Sequence, residues 1–236
     1  MSSDQRYWAV IPAAGIGSRM GSDIPKQYLK LRKKCILEYV LERFCNHPNI
    51  EKVIVALANG DRYWESLTIA SHPKIKTVEG GIERCHSVVN GLRALDGMAE
   101  ADDWVLVHDA ARPCIRRDDI DQLIHSLEEH SVGGILAVPA RDTMKRSGKK
   151  NEIRETVERN GLWHALTPQM FRLAILKGAL EKVLEKNSLV TDEAQAVEMS
   201  GLQPLLIAGH ADNIKVTQPE DLPLAEFFIS QQEKSL

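Results

Sequence analysis

The strongest constraint on this chain is a set of short, uninterrupted apolar runs spaced between amphipathic stretches. Lys52–Leu57 reads KVIVAL, Trp104–Val107 reads WVLV and Gly134–Val138 reads GILAV. A strand with one face in water alternates apolar and polar side chains; a strand covered on both faces has no such need. Tyr7–Ile11 reads as the first strand and is broken by Pro12-Ala13-Ala14-Gly15, and Ile75–Val78 is a short further one. Cys35–Cys45 places Ile36, Tyr39, Val40 and Phe44 on one helical face, and Ile82–Leu95 and Asp118–His130 read as further helices. Strands covered on both faces and interleaved with helices specify an α/β fold with a parallel sheet. At 236 residues the chain buries such a core without disulfides or metal staples.

The rhythm breaks at Pro139–Gly161. Two β-capable pieces, Asp142–Arg146 and Glu152–Val157, flank the polar turn Ser147-Gly148-Lys149-Lys150, which is a hairpin pattern. Its density of charge makes it project, either as a solvated surface hairpin or as an arm that contacts a partner subunit or covers a site. Beyond it, Thr167-Pro168 reads as a helix opening with Pro168 in the first helical position. Thr191 reads as the cap of the next helix, with Asp192 and Glu193 in its first turn and Gly201 at its end. Leu205–Ala208 and Ile214–Val216 are the last predicted strands. Thr217-x-x-Glu220, with Pro219 just inside, is a capping box for the final helix.

Several function classes fall away. No stretch is long enough to cross a bilayer, and the apolar run Trp8–Ala14 is too short for a secretory signal. The four cysteines, Cys35, Cys45, Cys85 and Cys114, form no C-x-x-C pair, so reduced thiols in a cytoplasmic protein are expected. Thirty basic residues against 33 acidic ones, a net charge of −3, give no overall case for nucleic acid or an anionic membrane. Any polyanionic ligand must be met by a local cluster.

Four segments could supply one. Pro12-Ala13-Ala14-Gly15-Ile16-Gly17-Ser18-Arg19-Met20-Gly21 follows the first strand, where small residues let backbone N–H groups approach an anion. It is neither a Walker A motif nor a dinucleotide fingerprint, since Met20 stands where the third glycine belongs. Arg19 within it and Lys26 in Pro25-Lys26-Gln27-Tyr28 add the two fixed cations that phosphoryl transfer needs. Val107-His108-Asp109-Ala110-Ala111-Arg112-Pro113 ends a buried strand, and its Asp109 is placed either to hold Mg²⁺ with nucleotide phosphates or to accept hydrogen bonds from hydroxyls. Gly80-Gly81-Ile82-Glu83-Arg84-Cys85-His86-Ser87 is a loop entering a helix, with Arg84 and Ser87 as polar groups. Ala211-Asp212-Asn213-Ile214-Lys215 brings a further Asp and Lys to a strand edge. Thr143, Arg159, Thr167 and Thr191 are polar residues at element ends.

P-A-A-G-x-G-S-R-M followed by P-K-Q-Y resembles the sugar-nucleotide nucleotidyltransferases. With V-H-D-A-A-R-P, V-P-A-R-D-T-M-K-R, L-W-H-A-L-T-P-Q, V-T-D-E-A and D-N-I-K-V-T in order, the chain from about Trp8 to Leu224 is similar to the 2-C-methyl-D-erythritol 4-phosphate cytidylyltransferase family of the non-mevalonate isoprenoid pathway. The resemblance implies a three-layer α/β/α Rossmann-like nucleotidyltransferase fold with a mostly parallel twisted sheet, in one domain carrying an inserted arm at about 139–161. It implies a homodimer joined through that arm, CTP and a small phosphorylated polyol as substrates, and Mg²⁺ or another divalent cation. By motif position Arg19 and Lys26 would stabilise the transition state, and Arg159 and Lys215 would position the substrate phosphate. Pro12, Ala13, Ala14, Gly15, Gly17, Gly81, Arg84, Ser87 and Ala110 would line the nucleotide site. Asp109, Arg112, Thr143, Thr167 and Thr191 would face the substrate or, for Asp109, the metal. One departure stands out: many relatives carry Asp after the Gly-Gly pair, where this chain has Ile82, so base contacts there fall to the Gly81 backbone and Ser87. A cytidylyltransferase for another alditol phosphate, such as ribitol 5-phosphate, is the nearest alternative. A dinucleotide-dependent oxidoreductase would need the missing glycine and an acid where Asn59 stands. A non-catalytic nucleotide-binding regulator would leave Arg19 and Lys26 without work.

Overall fold

The protein is described from a computed structural model covering residues 5–15 and 24–234. Its strands and helices run β1 (Tyr7–Pro12), β2 (Lys30–Leu31), β3 (Lys34–Cys35), α1 (Ile36–Cys45), β4 (Ile50–Leu57), β5 (Ile75–Glu79), α2 (Arg84–Arg93), β6 (Trp104–Val107) and α3 (Arg117–Leu127). They continue as β7 (Gly133–Pro139), β8 (Met144–Ser147), β9 (Ile153–Val157), β10 (Trp163–Arg172), α4 (Leu173–Glu185), α5 (Glu193–Met199), β11 (Leu205–Ala208) and α6 (Asp221–Lys234). Among the described residues seven strands form one sheet in the order β11-β7-β10-β6-β1-β4-β5.

The apolar runs are central because both of their faces are used. Ala9, Ile11, Val53, Val55 and Leu106 point into a core shared with α1 and α3. Their alternating neighbours Trp8, Val10, Ile54, Val105 and Val107 point into a second core with α2, α4 and α5. The period of two thus sends successive apolar residues into opposite layers, giving the expected three-layer architecture. Leu37, Leu41 and Leu92 are completely buried helix residues, and truncating one to alanine removes about 2–5 kcal/mol. Gly91 lets α2 approach β1: a Cβ there would stand 2.5 Å from Val10 Cγ1. α6 closes a third, smaller cluster with Leu31, Ile36, Val216 and Ala225.

Four sequence expectations need correction. Thr167-Pro168 does not open a helix; it lies within β10, antiparallel to both β6 and β7. The β7 pairing is interrupted between Ala165 and Gln169, so Pro168 falls in a bulge where no ladder N–H is required. Ile214–Val216 is not a strand. Arg112 Nη1 donates to Asn213 O (2.8 Å), Asn213 Nδ2 to Thr167 O (2.7 Å) and Val216 N–H to Ala111 O (2.8 Å), so tethers replace a ladder. The cap of α5 is Asp192, not Thr191; its carboxylate accepts the Gln195 N–H at 3.0 Å. The final helix begins at Asp221, which accepts the N–H groups of Thr217 and Gln218 in the role expected of Glu220.

The hairpin matches its expectation. β8 and β9 pair antiparallel as a separate two-stranded sheet whose residues are mostly exposed, leaving the body between Pro139 and Trp163. Among the described residues no helix is long and apolar enough to cross a membrane.

Candidate active site

β1, β4, β5 and β6 run parallel, so their C-terminal ends share one edge of the sheet. The chain fills β4 and β5 on one side of β1 and then crosses to β6 on the other. That reversal opens a crevice between the loops after β1 and β6, the usual ligand position in an open α/β sheet. A cavity of about 180 Å³ lies there. Pro12, Ala13, Ala14 and Gly15 form one wall, Gly81, Arg84 and Ser87 a second, and Asp109 and Ala110 a third, with Lys26 and Lys215 also lining it.

Local hydrogen bonds hold these walls. Ala13 N–H donates to Ala56 O (2.8 Å) and Gly80 N–H to Leu57 O (2.7 Å), tying both loops to β4. A Cβ on Gly80 would stand 2.4 Å from that of Ala14, so only glycine lets the two loops meet. Ser87 Oγ accepts the Gly81 N–H at 3.0 Å, which fixes the turn before α2. Gln27, nearly fully buried, donates to Ala13 O at 2.6 Å and joins the Lys26 turn to the β1 loop. The neighbouring Tyr28 hydroxyl donates to Asp61 Oδ2 at 2.7 Å. Burial, then that carboxylate, drives the phenol pKa far above its usual value, so it stays a donor.

Asp109 is the electrostatic centre. Its Oδ1 accepts from Arg84 Nε at 2.9 Å, and its Oδ2 from Lys215 Nζ at 2.9 Å and more distantly from Arg112 Nε at 3.4 Å. Burial by itself would raise the Asp109 pKa; Arg84, Lys215 and Arg112 outweigh it and hold the carboxyl well below the usual carboxylate range. Arg84 in turn grips Glu193 with both terminal nitrogens, at 2.6 and 2.9 Å. Lys26, Arg84, Arg112 and Lys215 against Glu83, Asp109 and Glu193 leave a positive excess of one among the described residues, which is the local cluster a near-neutral chain requires for a polyanion.

Behind Asp109 lies a buried relay. The Asp109 N–H donates to Thr167 Oγ1 (3.1 Å), the Thr167 hydroxyl meets His108 Nδ1 (2.9 Å), and His108 Nε2 meets Arg112 O (3.1 Å). An Nε2–H tautomer satisfies every partner, with Thr167 donating to Nδ1. Burial lowers the His108 pKa to about 4. The unfolded imidazole therefore binds a proton that the folded one refuses, and stability falls as the pH drops from about 6.5 toward 4, by about 3 kcal/mol when complete. His47, also lowered by burial, adds a slope of the same sign. Urea unfolding between pH 7 and 4.5 should show His108→Gln with a distinctly flatter pH dependence than the parent; an equal slope would remove His108 from this account.

Other predicted residues lie elsewhere. Thr143 and Arg159 line a second cavity, about 340 Å³, along the hairpin, and neither lines the first. Arg159 donates to the Arg141 carbonyl. Thr191 is exposed ahead of α5, with its N–H on Gln195 Oε1 at 2.7 Å, and also stays outside the first cavity. Arg112 and Thr167 reach the cluster without lining it. Arg19 and Gly17 lie outside the described residues. Glu193, Gln27 and His108 were not singled out from sequence as site residues. Ile82 sits on the cavity rim at 97 % exposure.

A metal role for Asp109 fits this arrangement poorly. Both oxygens already hold cationic side chains, and a divalent ion would have to displace them. Among the described residues no group of three His, Cys, Asp or Glu side chains could form a metal cage.

A family model described as 2-C-methyl-D-erythritol 4-phosphate cytidylyltransferase matches residues 7–231. The chain belongs to this family. A 2-C-methyl-D-erythritol 4-phosphate cytidylyltransferase of Vibrio vulnificus is 54 % identical over 224 residues, covering 95 % of this chain and 94 % of that protein. One of Actinobacillus pleuropneumoniae is 55 % identical over 223 residues, covering 94 % and 96 %. The crystal structure of the Francisella tularensis cytidylyltransferase superposes with a TM-score of 0.82 at 41 % identity, over 95 % of this chain and all of that one. A crystal structure named 4-diphosphocytidyl-2C-methyl-D-erythritol synthase gives a TM-score of 0.84 at 38 % identity, over 97 % and 100 %. The cytidylyltransferase fold is therefore shared along nearly the whole chain.

Proposed function

We propose that this chain transfers the cytidylyl group of CTP to 2-C-methyl-D-erythritol 4-phosphate, giving 4-diphosphocytidyl-2-C-methyl-D-erythritol and pyrophosphate for isoprenoid biosynthesis. The observation that carries the reading is the β1–β6 cavity, walled by the small-residue loop and lined by both Lys26 and Lys215, in a chain of this family. An oxygen of the substrate phosphate attacks the α-phosphorus in line. The new P–O bond forms as the bond to the β-phosphate oxygen breaks, and pyrophosphate leaves with that electron pair. A phosphate monoester needs no general base near neutral pH. No covalent intermediate is required, and the nearby candidates are unsuited: Ser87 is committed to Gly81, and burial raises the Cys85 thiol pKa.

The obstacle is repulsion between two polyanions and the charge that grows on the α-phosphate. Lys26, with Arg19, opposes that charge, and the backbone N–H groups of the β1 loop assist. Lys215, aimed by Asp109, and Arg159 hold the substrate phosphate, with Thr143 and Thr191 around the polyol. Arg112 and Thr167 serve by fixing Asp109 and the segment before Lys215. A divalent cation, Mg²⁺ in this proposal, arrives on the triphosphate, since magnesium commonly binds through substrate phosphates rather than an all-protein cage. Four free, buried cysteines support a reducing, cytoplasmic setting.

Arg159 stands on the projecting hairpin, outside the cavity it is proposed to serve, which supports a homodimer in which each arm completes the neighbouring site. Lys26→Ala and Arg159→Ala are each expected to be nearly inactive. Mixed after verified subunit exchange, they should regain activity, because some dimers hold one intact site; no recovery would place Arg159 in its own subunit's site. The reading as a whole is tested by metal-dependent pyrophosphate release from each of the four NTPs, with 2-C-methyl-D-erythritol 4-phosphate and with ribitol 5-phosphate. CTP with the methylerythritol phosphate should dominate. Turnover favouring ribitol phosphate would change the alcohol, and equal use of UTP would assign the loss of base selectivity to Ile82.

A further inference from the structure

We propose that Glu193 is a positioning residue for the transfer, acting through Arg84 to divide the two oxygens of Asp109 and so to aim Lys215; this rests on the reading given under Proposed function. Glu193 is only 1 % exposed. Burying a carboxylate is costly unless it is paired, and an apolar side chain would fill such a place at lower cost. Both of its oxygens go to one guanidinium, at 2.6 and 2.9 Å. That bidentate grip fixes the plane of Arg84 and leaves its Nε directed at a single oxygen of Asp109, at 2.9 Å. The second oxygen is thereby kept for Lys215, also at 2.9 Å.

Without the Glu193 charge the two-point grip is lost: a glutamine there offers one acceptor oxygen, and the other terminal nitrogen of Arg84 faces an amide NH2 and is left without an acceptor. The nearest remaining carboxylate is Asp109, and a guanidinium fork takes both oxygens of a carboxylate when it can. Lys215 would then lose its anchor on the cavity wall. Helix α5 does not depend on this pair for its seat. Asp192 accepts the Gln195 N–H at 3.0 Å, and the buried Gln169 both accepts the Ala194 N–H (2.8 Å) and donates to Asp192 Oδ2 (2.9 Å). The charge of Glu193 can thus be removed while the helix remains capped and tied to β10.

Glu193→Gln keeps the shape and removes the charge. It should raise KM for the methylerythritol phosphate roughly tenfold while KM for CTP moves no more than about twofold, the pattern of lost substrate positioning. A merely structural role would lower the unfolding midpoint without splitting the two KM values. The decisive comparison is a double-mutant cycle with Arg84→Gln. If Glu193 acts through Arg84, the double variant has a KM for the alcohol phosphate no higher than the worse single variant. Factors that multiply, or an unchanged KM in Glu193→Gln, overturn the proposal. Should Glu193→Gln not fold, the double variant is compared with Arg84→Gln alone, and a higher KM in the double variant overturns it equally. A parent enzyme that does not turn over the methylerythritol phosphate is a different result, and it removes the functional reading instead.

Discussion

Replacing Lys26 with alanine should lower kcat by roughly 10²–10³ while changing KM for CTP by no more than a few fold. The asymmetry follows from when the interaction matters. Triphosphate charge is present before and during transfer, so a cation meeting it equally in both states would appear in KM. Charge on the α-phosphate oxygens grows only as the new bond forms, and a cation aimed there appears in kcat. In the proposed reading Lys26 is held for such aim. Its short turn is pinned on one side by Gln27 on the Ala13 carbonyl at 2.6 Å, and on the other by Tyr28 on Asp61 at 2.7 Å. Lys26→Arg should not rescue the loss, since a planar fork does not replace a compact ammonium at a fixed distance. Steady-state kinetics with saturating alcohol phosphate decide the matter; a kcat within threefold of the parent removes Lys26 from the chemistry.

The second large effect is on stability. Asp109→Asn leaves Arg84, Arg112 and Lys215 gathered around a neutral amide. Removing one partner from a buried ionic cluster costs about 3–5 kcal/mol. Lys215 and Arg84 retain some contact with water, at 37 % and 29 % side-chain exposure, so about 3 kcal/mol is the better expectation. The pH dependence identifies the source. A carboxylate with a depressed folded-state pKa contributes fully above its unfolded value near 3.8 and loses that contribution only as the pH falls through the folded value. The gap between parent and variant should therefore stay constant from pH 7 to about pH 5, while both lose stability through His108. A gap under 1 kcal/mol, or one that closes between pH 7 and 5, would show that the cluster does not depend on this carboxylate.

What could be read in advance divides by the distance over which a residue's environment is set. KVIVAL and WVLV read as doubly covered strands because nearly every residue in them must be apolar whichever layer it faces. β10 hid in Leu162-Trp163-His164-Ala165-Leu166-Thr167-Pro168-Gln169, where neither period holds. Local preference put Pro168 at a helix start; the tertiary fit between β6 and β7 placed it in a bulge instead. Asp192 took the cap from Thr191 by a single position, because both are good caps and the contact with Gln169 decides between them. The cavity walls were legible as motifs, since small residues after a strand carry their own reason. Glu193 was read only as a favourable charge in a first turn, because its partner Arg84 stands 109 positions earlier. No local signal distinguishes a solvated glutamate from a buried one at that place.

The root of the hairpin has a consequence for how this chain tolerates change. β7 leaves the body at Pro139 and β10 returns at Trp163, and these two residues are direct partners in the sheet, with the Ala140 N–H on the Leu162 carbonyl at 2.9 Å. The two feet of the arm are thus fastened together before the arm begins. Residues between them can be lengthened, shortened or exchanged while the seven-stranded sheet keeps its register. Thr143 and Arg159 ride on that free segment, whereas Lys215 and Asp109 are embedded in the body. One half of the proposed phosphate grip can drift, be grafted or be retuned by loop surgery, and the other half can change only by remaking the core that holds it.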